Sequence, residues 1–367
     1  MSSERIDSMH PCLLLAWLAP RRVIAPKSRD IRGAGENAPG AFDHYRHVHV
    51  PKTAGTVFRA DATRVLPRNA TLHTAEKCYC TRYKMIHDAP TIIFVRIPES
   101  HVFSQFAQCK YSSWAKRLPR MVDFLATHDF ADWLDALSAS DDDFGCYNPW
   151  NLQTRYLTCH SARHVRDKKL DHLDGHHRGG HLDGHHVVHD HHGFGRTGDV
   201  AAAISRIASF SFVGVAEHYH ASICIFAFWV RGALPHGCDC AHSEAFAAAA
   251  NASHPSMVHG VPRLSVDGLS PDVRARIAPF VAQDYEVYAA GFRRFAEATG
   301  VVEAATGTRV LCARDIQPAT RSALGSTTAG RRLVAALDAG ALPRPNPGLL
   351  PRREDGVGKV EPACSFH

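Results

Sequence analysis

One ten-residue run constrains this chain more than any other: His47-Val48-His49-Val50-Pro51-Lys52-Thr53-Ala54-Gly55-Thr56. A short extended apolar stretch ends in a turn that carries one lysine, one glycine and two threonines. A helical pattern follows it. A strand, a tight turn and a helix N-terminus together present free backbone N–H groups and the positive end of a helix dipole, which is a place for an anion. Lys52 adds a full charge, and Thr53 and Thr56 add hydroxyl donors. The run therefore predicts an anion cradle at the end of a strand, with the backbone of Ala54 and Gly55 inside it.

The pattern around the run predicts an α/β fold. Val48–Val50 reads as a strand and Thr56–Leu66 as a helix that Pro67 ends. Lys84–His87 and Thr91-Ile92-Ile93-Phe94-Val95 give a second strand signal; the latter is β-branched and continuous, as a buried parallel strand should be. A helix can begin at Pro98, a favoured first position. Met121–Leu137 reads as one amphipathic helix, and Tyr147–Thr158 as another. Ala201–Ile207, Ser209–Val215 and Tyr219–Val230 give helix, strand and apolar helix. Cys238–His259 reads as a loop and Pro271–Phe295 as helical. This alternation predicts a P-loop-like parallel sheet flanked by helices, with ligands bound at the carboxyl ends of the strands.

The flanks read differently. Residues 1–40 form a leader whose apolar core, Pro11–Pro20, is too short to span a bilayer and has the length of a targeting segment. Residues 160–199 hold a biased insertion in which His172-Leu173-Asp174-Gly175-His176-His177 recurs nine residues later, at His181–His186. It reads as a repeat expansion more readily than as a metal-binding tract. Residues 298–367, rich in Ala, Gly, Pro and Arg, read as a low-complexity tail. The body of the chain is then 41–297.

Charge and cysteine narrow the compartment and the partners. A net charge of +6, with no basic stripe interleaved with aromatics, suits an anionic ligand and argues against nucleic acid. Eleven cysteines include the close pairs Cys78/Cys80 and Cys238/Cys240. A spacing of C-x-C fits zinc poorly and disulfides in an oxidising compartment better. Two glycosylation sequons, Asn69-Ala70-Thr71 and Asn251-Ala252-Ser253, agree with that compartment.

A second strand end completes the chemistry. Arg96-Ile97-Pro98 follows Val95, and Ser104 lies eight residues after Arg96. With the Pro51–Thr56 loop, this pair of segments resembles the sulfotransferases that use 3′-phosphoadenosine-5′-phosphosulfate (PAPS). Phe212-Val213-Gly214-Val215-Ala216-Glu217 and the helix bearing Asp284, Tyr285 and Tyr288 are similar to later segments of the membrane-associated, carbohydrate-type branch. The resemblance implies that Lys52, Thr53, Ala54, Gly55 and Thr56 hold the phosphosulfate. It implies that Arg96 and Ser104 hold the 3′-phosphate, that Lys52 acts on the leaving group, and that no metal is required. It implies a carbohydrate or glycan acceptor, and a Golgi or other secretory location with membrane association through a short or missing N-terminal anchor. The chain departs from the pattern at Ile97, where an acidic residue is usual. It departs again at His101, where a basic residue is common; protonated, His101 still faces phosphate.

The acceptor needs a general base near neutral pH, and histidine suits that task. His87 is the candidate, with His73 behind it; Asn151, Gln153 and Arg155 are candidates for touching donor or acceptor. Two other readings compete. One is a nucleotide-dependent kinase or NTPase, against which stands the missing G-x-x-x-x-G-K-[ST] pattern. The other is a non-catalytic carbohydrate- or metal-binding protein.

Overall fold

A computed structural model describes residues 42–76, 78–79, 89–140, 146–159, 196–253, 261–262, 264–340 and 343. The leader, Lys84–His87, the histidine repeats and the last residues of the chain lie outside them.

Four parallel strands form one sheet: β1 (His44–Val48), β2 (Thr71–Ala75), β3 (Thr91–Val95) and β4 (Phe212–Val215), in the order β2-β1-β3-β4. The chain passes from β1 outward to β2, then crosses back to lay β3 on the other side of β1. That reversal opens a crevice between the carboxyl ends of β1 and β3. Every residue of β3 is buried, as its unbroken apolar run requires. β2, at the sheet edge, is half-exposed.

Helices cover both faces. α1 (Gly55–Val65) follows the first loop, and α2 (Pro98–Tyr111) follows β3. The stretch read as one helix over Met121–Leu137 is two, α3 (Pro119–Thr127) and α4 (Phe130–Ala139). Asp129 causes the break, because its side chain accepts from the N–H groups of Ala131 and Asp132 and starts a new helix. α5 (Leu152–Thr158) is shorter than its sequence signal, and α6 (Val200–Ser209) precedes β4. α7 (Tyr219–Arg231) packs with α1. The loop expected over Cys238–His259 contains α8 (Ser243–Ser253), built on a run of alanines with high helix propensity.

α9 (Pro271–Val281) and the long α10 (Asp284–Thr306) follow. α10 lies so close to β3 that a Cβ at Gly291 would stand 2.8 Å from a Val95 methyl. The stretch read as a low-complexity tail carries α11 (Pro318–Gly325) and α12 (Thr328–Asp338). Their Leu324, Leu333 and Leu337 join the main core, so burial of a few leucines orders an alanine- and glycine-rich sequence. A second apolar cluster, centred on Phe103, Phe106, Phe130 and Trp133, ties α2 to α4 and α9.

Four disulfides lie among the described residues: Cys78–Cys159, Cys109–Cys146, Cys224–Cys238 and Cys240–Cys312. Cys238 and Cys240 bond to different partners, which a C-x-C spacing allows. Such bonds fit an oxidising, secretory-type environment. Among the described residues no helix is long and apolar enough to cross a membrane. Asn69 of the first sequon is exposed in the turn before β2.

Candidate functional site

The loop after β1 is bent by two residues in the left-handed region, Lys52 (φ 65°) and Ala54 (φ 70°). Neither is glycine, and each such residue costs about 1–2 kcal/mol. Thr53, fully buried between them, uses its hydroxyl and its N–H on the Val50 carbonyl, at 2.8 and 3.3 Å. Its hydroxyl therefore shapes the loop, whereas Thr56 is exposed. Ala54 stands at the N-cap of α1 with no side-chain cap, and no acidic residue occupies the first turn. Among the described residues the first amides of α1 thus have neither an intrahelical partner nor a side-chain cap.

Lys52 reaches into the crevice. Its Nζ donates to Gln108 Oε1 at 2.9 Å. Burial, together with the nearby Arg96 charge, pushes its pKa down to about 8, opposed by Glu76. Arg96, at the end of β3, donates from Nη1 to the Lys52 carbonyl at 2.8 Å. The two cations predicted for opposite ends of one ligand therefore come from adjacent strand ends and touch through the loop backbone.

Arg96 is braced by Gln153 and Glu217, and Asp284 backs the helix that carries Gln153. Gln153 on α5 clamps its peptide, accepting from Arg96 N at 3.0 Å and donating to Arg96 O at 2.9 Å. Glu217, after β4, accepts from Ile97 N at 3.0 Å and lies 3.8 Å from Arg96 Nε. Burial raises Glu217 to about 7 against the pull of Arg96. Asp284, at the start of α10, accepts from Gln153 N, Thr154 N and the Thr154 hydroxyl, and so caps α5 from another helix. The segments that carried the family resemblance thus meet around Arg96. Of the other candidates on that stretch, Asn151 bonds to Arg196 O and Gln283 N, and Arg155 to Asn148 O. Both hold loops together.

His101 corrects an expectation. It is buried, and its Nε2 lies 2.6 Å from the Pro51 carbonyl. Burial, with Arg96 and Lys52 nearby, depresses it to about 3 despite that bond. It is a neutral donor that pins the loop, not a cation for phosphate. Ser104 is half-buried one helical turn further along α2. Helix periodicity places it between His101 and Gln108, on the face that both direct at the loop.

Residue Glu76 supplies what the sequence reading missed. It follows β2 directly, and β1–β2 pairing of Val48 with Ala75 brings it beside His49. Its carboxylate is 3.1 Å from His49 Nδ1. Burial raises it to about 7, against the lowering effect of Lys52. A carboxyl group poised near neutrality beside the lysine is what acid–base chemistry requires. His73, by contrast, faces His44 near the amino end of β1, with 3.3 Å between their ring nitrogens. His87 lies outside the described residues. Two disulfides brace this corner: Cys78–Cys159 holds the chain after Glu76 to the end of α5, and Cys109–Cys146 holds the residue after Gln108.

Compared with family models, curated proteins and solved structures, the chain matches none.

Proposed function

We propose that the protein is a PAPS-dependent sulfotransferase acting on a hydroxyl (or amine) of a carbohydrate-like acceptor in the Golgi or another secretory compartment. The observation that carries this reading is the junction of two cationic strand ends at the sheet reversal, Arg96 Nη1 on the Lys52 carbonyl at 2.8 Å, beside an uncapped helix start. A donor with anionic groups at both ends needs two such cradles side by side. In this reading the crevice is a P-loop-like site. The α1 amides, the Ala54–Gly55 backbone, Thr56 and Lys52 take the phosphosulfate, and Thr53 shapes their loop. Arg96 and Ser104 take the 3′-phosphate.

The chemistry follows from the placement. The acceptor oxygen attacks sulfur in line, and its proton passes to the Glu76 carboxylate. The bond from sulfur to the phosphate oxygen breaks, and 3′-phosphoadenosine 5′-phosphate leaves. Lys52 neutralises the charge that develops on that oxygen, which is stabilisation where it counts most. No step calls for a metal. Glu76 is taken as the base because a group beside Lys52 can reach the same sulfur; His87 lies outside the described residues.

The test is a thermal-shift titration with 3′-phosphoadenosine 5′-phosphate on wild type, Lys52→Ala and Arg96→Ala. Stabilisation of wild type, lost in both variants, is the expected result. No shift in wild type sinks the reading. A carboxylate at a strand end also gives a kinase one supporting feature, so ATP with Mg²⁺ is the parallel arm. A shift with ATP–Mg²⁺ alone would favour phosphoryl transfer.

A further inference from the structure

We propose that His49 is the positioning residue of the base: its imidazole aims the Glu76 carboxylate and ties it to the sulfuryl loop. This rests on the reading of Glu76 as the acceptor's base. Three observations support it. The His49 Nδ1 to Glu76 contact is 3.1 Å, and His49 is only 7% exposed, so the imidazole is held within the protein. Facing a carboxylate oxygen, Nδ1 carries the proton and donates, which sets the direction in which the carboxylate points. The ring also stacks on His47, with centroids 5.4 Å apart and planes at 19°.

The third observation concerns Gly55. A Cβ there would fall 1.9 Å from His49 Cδ2 and 2.1 Å from Nε2. The ring abuts the first residue of α1, and any side chain at 55 would displace it. Gly55 therefore serves the base as well as the cradle. The imidazole spans the two halves of the site, with one nitrogen on Glu76 and the other over the helix start that receives the sulfuryl group.

Among the described residues, Lys52 from the loop acts on Glu76, whose charge is felt by Tyr147 from the stretch before α5. Lys52 favours the carboxylate's ionised form, and Glu76 in turn raises the Tyr147 phenol, already raised by burial. His47 is held neutral, chiefly by burial and further by His49. In this proposal the donor hydrogen bond from His49 joins Lys52 in favouring the ionised form of a carboxylate that burial raises to about 7.

The experiment follows the Glu76 carboxyl directly, by pH-difference infrared spectroscopy with Glu76→Gln as the blank, in wild type, His49→Leu and His49→Asn. Asn keeps a donor where Nδ1 stands, and Leu removes it. The Leu variant should raise the Glu76 midpoint by about one pH unit. The acid limb of kcat/KM should rise with it and kcat fall about tenfold, with KM for the donor changed less than twofold. The Asn variant should restore both midpoint and limb, which a general loss of packing would not do. An unmoved midpoint in His49→Leu overturns the proposal. A raised midpoint with an unmoved rate limb overturns it too, while leaving sulfuryl transfer in place. Calorimetry with 3′-phosphoadenosine 5′-phosphate separates the two levels: failure of wild type to bind removes the sulfotransferase reading, and the role of His49 with it.

Discussion

The helices α1 and α4 begin in opposite ways. At α4, Asp129 accepts from two backbone amides, and Asp132 reaches back to the Asp129 N–H to complete a capping box. At α1, the N-cap is an alanine in the left-handed region, no side chain caps the turn, and no acid stands in it. One start satisfies its own donors. The other, among the described residues, has no side-chain cap, and Lys52 stands two residues before its N-cap. In the proposed function the difference means that the cradle is built by omission: the loop gives up a cap worth about 1 kcal/mol and accepts strained backbone, and the nucleotide would complete it.

The sharpest way to break the comparison is to disarm the chemistry and leave the cradle intact. Glu76→Gln keeps the shape of the base but cannot take a proton. Its kcat should fall about 10²–10⁴-fold. Binding of 3′-phosphoadenosine 5′-phosphate, measured by calorimetry, should hold within a few-fold. Full activity in this variant would return the search for a base to His87.

Next in size is a carboxylate placed where α1 has none. Ala54→Asp keeps a residue type that tolerates positive φ and sets a negative charge at the mouth of the cradle. Nucleotide binding should weaken at least about tenfold. Asp129→Ala, at the other helix, should leave binding unchanged and cost about 1 kcal/mol of stability by chemical denaturation. If both variants bind alike, the uncapped start is not the anion site.

The pH profile tests the same junction without mutation. Lys52 sits near 8 when free, and bound anions raise it. A group whose affinity for protons rises on binding adds affinity below its free pKa and loses it as pH climbs through that value. Nucleotide affinity should be level below about pH 7 and decline above about 8. Glu76 must be ionised to act, and its value is about 7. The kcat/KM profile should therefore be a narrow bell with its optimum between those limbs. Lys52→Arg should flatten the alkaline decline in affinity, because arginine stays protonated.

Much of this site was legible before any fold was known. The β1 loop and the end of β3 stand out because a dense apolar run stops abruptly at Lys52 and at Arg96, and the sheet reversal then makes them neighbours. Glu76 was hidden because β2, Thr-Leu-His-Thr-Ala, is a half-exposed edge strand with no strong alternation. A carboxylate after an unseen strand has no address. Gln108 was hidden for another reason. Its contact with Lys52 spans 56 positions and depends on the phase of α2, which no local motif encodes. Asp284 matched a motif, but its work as a cap for α5 crosses 130 positions. The helices beyond 300 were missed because alanine and glycine describe a tail and a packed helix equally well until a few leucines find the core.

The smallest effect is the most direct measure of what the α1 start gives up. Ala54 holds φ 70° with a Cβ that the left-handed region disfavours. Glycine removes that penalty but adds freedom to the unfolded chain, so the two terms oppose each other. Ala54→Gly should raise stability by a net of about 0.5–1 kcal/mol, read from the midpoint of chemical denaturation. The cradle's amides are untouched, so nucleotide affinity should stay within about twofold. The same substitution at Ala131, in the first turn of the capped helix, should lower stability by a similar amount, because there φ is helical and glycine brings only its entropy. Opposite signs at the two helix starts would confirm that one is strained and the other relaxed. Equal signs would remove the strain from the account of the loop.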